Sequence, residues 1–74
     1  MQIVALKRTP YGFTPFTGRA ESKTGLRYIF FADFDGGAAV FRERNDGGFR
    51  QIKPDTPAAL SLAIRRAVRK AVQS

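Results

Sequence analysis

The chain has 74 residues, with 13 Lys and Arg against 6 Asp and Glu and no Cys or His, giving a formal net charge of +7 and a pI near 10.9. A chain this short forms one domain (1–74) that buries only about 60% of its unfolded surface. The missing Cys and His exclude a disulfide staple, a Cys/His metal centre and catalysis by either side chain.

The start MQIVALKRTP holds too short an apolar run for a leader or a membrane span, so a soluble, cytoplasmic protein with no membrane contact is expected. Within it, Gln2 to Arg8 is β-branched and apolar enough for a first strand. Thr9 to Gly18 follows as an irregular Pro/aromatic loop carrying Tyr11, Phe13 and Phe16, although Phe16 to Ser22 also reads as an irregular second strand. Lys23-Thr24-Gly25 is the turn out of it.

From Leu26 the β signal strengthens. LRYIFFADF is aromatic and β-rich, Asp35-Gly36-Gly37 is a turn, AAVFRER is a strand, Asn45-Asp46-Gly47-Gly48 is a hairpin signature, and Phe49 to Lys53 returns as the last strand. Thr56-Pro57 then opens a helix, with the Thr hydroxyl as cap, Pro at the first helical position and Asp55 beside the positive end of the dipole. Through about Val72, within the helical segment 56–73, Leu60, Ala63, Ile64, Ala67, Val68 and Ala71 fall on one side and form the core face. Arg65, Arg66, Arg69 and Lys70 lie opposite, with Leu62 among them and partly exposed.

The fold class predicted is α+β: an antiparallel sheet of four or five strands in a meander (1–53, including the 9–18 loop), with the C-terminal helix on one face. From Leu26 onward this strand-strand-strand-helix layout resembles several small nucleic-acid-binding modules, among them the single-strand-binding transcriptional coactivators. Layout alone does not carry function.

Closing the hairpins symmetrically about Gly36-Gly37 and Asp46-Gly47 sets Phe34 opposite Ala39, Ala32 opposite Phe41, and Phe41 opposite Ile52. Alternation then collects Tyr28, Phe30, Ala32, Phe34, Ala39, Phe41 and Ile52 on one face, with Glu43 opposite Arg50 at its margin. This face is assigned to the helix. The other face receives Arg27, Ile29, Phe31, Asp33, Val40, Arg42, Arg44, Phe49, Gln51 and Lys53. Either those rings are an inner layer under the first strand and the loop, or they stay open to a partner.

If open, the cations neutralise phosphates while the rings stack on bases, which favours single-stranded DNA or RNA. The candidate nucleic-acid-binding residues are therefore Arg27, Phe31, Arg42, Arg44, Phe49 and Lys53, flanked by Arg19 and Lys23. The alternative is a protein-interaction module, an inhibitor or accessory subunit that docks on an acidic protein surface through Leu62, Arg65, Arg66, Arg69 and Lys70 or through Tyr11, Phe13 and Phe16. A homodimer closed by the aromatic face is a third reading, and would also thicken a thin core.

Enzymatic chemistry is not expected. Gly18 to Thr24 lacks the Gly that a phosphate-binding loop needs before Lys23. Asp33 and Asp35 flank a glycine turn, where Asp serves conformation more often than metal binding. No catalytic residue, metal site or cofactor is assigned.

Overall fold

The computed structural model describes residues 1–9, 15–52 and 56–73. The expectations for Tyr11, Phe13, Lys53 and Asp55 lie outside them. Five strands, β1 (Gln2–Arg8), β2 (Phe16–Glu21), β3 (Arg27–Ala32), β4 (Ala38–Glu43) and β5 (Phe49–Gln51), precede one helix, α1 (Ala58–Gln73). All neighbours pair antiparallel in the order β1-β2-β3-β4-β5, so the chain is an α+β meander with a C-terminal helix packed on it.

The three tight hairpins share one design. Ser22, Asp33 and Arg44 each donate their N–H to the carbonyl four residues on, at Leu26, Gly37 and Gly48, and accept at their own carbonyl from the glycine three residues on. Those glycines, Gly25, Gly36 and Gly47, have φ of 87°, 84° and 87°. Each loop is thus a type I turn closed by a left-handed glycine, the three-residue hairpin with a bulge. Short polar side chains brace two of the turns: Asp33 Oδ1 accepts from the N–H of Asp35 and of Gly37, and Ser22 Oγ accepts from Leu26 N–H. In the third, Asp46 Oδ1 accepts from Gly48 N–H. Asp33 therefore serves the turn.

This turn geometry corrects the predicted register. The loops centre on Asp35 and Asp46, ahead of the assumed positions, because the glycine is needed last in the turn. Phe31, and not Phe34, faces Ala39; Ala32 pairs with Ala38; Phe41 pairs with Gln51; and Glu43 pairs with Phe49. An odd shift reverses the faces of a strand. Ala39, Phe41 and Glu43 consequently leave the helix-covered face, Val40, Arg42 and Arg44 join its side, and Phe34 sits in the turn, 56% exposed. β5 recovers its predicted face because the second shift cancels the first.

The core lies between α1 and the face bearing Phe16, Ala20, Tyr28, Phe30, Ala32 and Val40, closed by Leu60, Ile64 and Val68. Ala63, Ala67 and Ala71, on the predicted core side of the helix, are half-buried, and Ala71 packs at the core's edge beside Met1, Ile3 and Leu6. A bulge between Ile3 and Ala5 bends β1 over this edge and leaves Val4 exposed. Helix α1 begins one residue later than expected: the Pro57 carbonyl accepts from Leu60 and Ser61 N–H, so Pro57 is the cap and the Thr56 hydroxyl makes no hydrogen bond among the described residues.

Two glycines allow close approach. A Cβ on Gly18 would meet Phe30 Cζ at 2.3 Å and the Ala5 carbonyl at 2.6 Å, because the Phe30 ring lies across β2 at that point. A Cβ on Gly36 would meet the Arg65 Cγ at 2.7 Å, so the β3–β4 turn abuts the helix there.

Candidate nucleic-acid interface

Alternation and register lay out the face opposite the helix in three rows across the strands. The first is Lys7, Thr17, Phe31 and Ala39; the second is Ala5, Arg19, Ile29, Phe41 and Gln51; the third is Gln2, Glu21, Arg27, Glu43 and Phe49. Diagonal neighbours Phe31 and Phe41 meet edge to face, with centroids 5.9 Å apart and rings at 87°. Together with Ile29 they are half-buried, so this face keeps an apolar centre that α1 does not cover. Phe49 is 49% exposed at its rim.

Around that centre stand Lys7, Arg19 and Arg27, all exposed, with Arg27 in contact with Glu43 at 3.7 Å. The structure therefore brings together Arg19, Arg27, Phe31 and Phe49 of the predicted set. It removes Arg42 and Arg44 to the helix side and leaves Lys23 exposed in the β2–β3 turn. Phe41 is the ring of this face that the sequence pattern assigns to the helix side. The signal that could have found it is the spacing of Gly25, Gly36 and Gly47, which recurs every eleven residues and marks three equivalent turns.

On the helix side, Arg42 and Arg50 are register partners. They line an open groove of about 880 Å³ with Leu26, Tyr28, Arg44, Ile52 and Pro57 among its walls. Arg44 contacts Asp46 at 3.4 Å.

The residues of the protein-interaction alternative divide. Phe16 is 2% exposed, edge-on to Phe34, so it belongs to the core and cannot serve as a surface contact. Arg8 lies over the Phe34 ring at 5.7 Å and completes that corner. Leu62 is 49% exposed, and Arg65, Arg66, Arg69 and Lys70 are exposed with no ion pair among the described residues. No helix among the described residues is long and apolar enough to cross a membrane. Comparisons with protein families, with curated proteins and with solved structures find no match to this chain.

Proposed function

We propose that the chain is a non-enzymatic, sequence-tolerant nucleic-acid-binding protein that takes single strands on the sheet face opposite α1. The observation carrying this reading is the Phe31–Phe41 pair, half-buried and uncovered by α1 at the centre of that face and flanked by Arg19, Arg27 and Lys7. Flat rings on a sheet reach the faces of bases that are already unpaired, and each stacked base is worth about 1–3 kcal/mol. The flanking cations reach backbone phosphates, and the net charge of +7 draws any polyanion toward the molecule.

Titrating a labelled single-stranded oligonucleotide at low salt tests the reading. Binding weakens with salt with a log–log slope of about −0.7 for each phosphate neutralised, and duplex of the same length binds more weakly. Loss of affinity in Phe31→Ala/Phe41→Ala is the expected result. Absence of binding to single-stranded DNA or RNA sinks the proposal. A change in sedimentation mass in that variant without a change in oligonucleotide affinity assigns the face to self-association instead.

A second reading has its own observation, Leu62 exposed among four cations of α1. An apolar anchor ringed by Arg suits an acidic protein surface. This helix face points away from the aromatic sheet face, so Leu62→Asp leaves oligonucleotide affinity unchanged and removes only a protein contact.

A further inference from the structure

We infer that the helix-side groove between the β4–β5 hairpin and the start of α1 is a phosphate-binding site, held by Arg42 and Arg50. The site lies on the opposite side of the sheet from the Phe31–Phe41 pair, so it stands independently of the proposed strand-binding face.

Arg42 and Arg50 face each other across an antiparallel pair, which brings their Cβ atoms within about 5.5 Å on the same side of the sheet. Like charges in that position destabilise a hairpin. Neighbouring cations are compensated: Arg27 of β3 has Glu43 at 3.7 Å and Arg44 has Asp46 at 3.4 Å. Neither Arg42 nor Arg50 makes an ion pair with any described residue. Glu43 and Asp46 also line the groove but are engaged by Arg27 and Arg44, which leaves the Arg42 and Arg50 guanidiniums to form a fork that a tetrahedral dianion satisfies with paired hydrogen bonds.

The surroundings strengthen this fork. Leu26, Ile52 and Pro57 contribute some apolar wall to a groove that is otherwise polar and open to solvent. Tyr28 also lines it, with a hydroxyl open to solvent. Pro57 caps α1, so the positive end of a 16-residue helix sits at the groove's margin. The volume, about 880 Å³, lies within the usual range for small-molecule sites and admits a ligand of nucleotide size. The shared chemistry is a phosphate ester, carried either by a free nucleotide or by the end of a strand.

The test is an NMR titration of the full chain at constant ionic strength, following the Arg Nε–H resonances. The probes are inorganic tripolyphosphate, a nucleoside monophosphate, and one short oligonucleotide with and without a 5′-phosphate. Saturable shifts of Arg42 and Arg50 are expected, with tripolyphosphate affinity falling about tenfold in Arg42→Gln and in Arg50→Gln, the equivalent of one lost charge-assisted hydrogen bond. Arg66→Gln/Arg69→Gln on the helix changes it less than about twofold. Saturation by the nucleotide identifies a free ligand, and a preference for the phosphorylated oligonucleotide identifies a strand end. Phe31→Ala/Phe41→Ala retains tripolyphosphate binding, which separates this site from the strand-binding face. No saturable shift, or an equal loss in the helix variant, overturns the inference.

Discussion

The two faces of one sheet are built from the same strands and opposite parities, yet they solve different problems. On the side of α1, Phe30, Ala32, Leu60 and Ile64 are fully buried, and even a glycine, Gly18, is used to admit the Phe30 ring. On the other side, Phe31 and Phe41 meet edge to face and are half-buried, uncovered by α1. Consecutive phenylalanines, Phe30 and Phe31, thus have unrelated roles. A single helix can cover one face of a meander, so in this 74-residue chain the aromatic residues of the second face are not covered by α1.

The sharpest way to break this comparison is to truncate the two neighbours. Phe30→Ala should lose about 3–5 kcal/mol, enough to unfold a domain of this size, whereas Phe31→Ala remains folded in urea denaturation. Equal destabilisation by both would mean that the second face is also core. Next in size is Gly18→Ala, which drives a methyl into the Phe30 ring and the Ala5 carbonyl and costs about 1–3 kcal/mol by thermal unfolding. The open face has no equivalent glycine to probe.

The functional contrast is expected to be of similar size but in binding. Phe31→Ala/Phe41→Ala should reduce single-strand affinity by about tenfold or more while shifting stability far less than Phe30→Ala. A smaller effect is expected in the turns. Gly25→Ala meets open space and loses only the positive-φ advantage, about 1–2 kcal/mol, whereas Gly36→Ala also collides with Arg65 and should cost more. Equal costs would show that the β3–β4 turn does not bear on α1. The smallest change is Leu62→Asp, expected to stay within about 0.5 kcal/mol of the parent because that side chain is already half in solvent.

Strands β1, β3, β4 and β5 were legible because their runs combine β-forming residues with polar turn residues at their ends, and the helix because Leu60, Ile64 and Val68 recur at its period; β2 was one of two readings of an irregular segment. The candidate site was only partly legible. Arg19, Arg27, Phe31 and Phe49 were identified from their sequence positions, but Arg42 and Phe41 exchanged faces when the turn centre moved. A residue's face depends on the parity of one loop, and Gly36-Gly37 does not by itself say which of its two glycines takes the positive φ.

Sequence by itself determined a meander of four or five strands and the amphipathic helix, since periodicity and turn chemistry are local properties, and the structure supplies the fifth strand. Sequence also assigned the helix to the face of Tyr28, Phe30 and Ala32, the most apolar alternation in the chain, and the structure places α1 there. Tertiary structure decided which cations share a surface. Arg42 stands beside Arg50 and not beside Phe31 because Gly36 closes the β3–β4 turn and Gly47 the β4–β5 turn, and hydrogen bonds across both hairpins then fix every side chain to one face or the other.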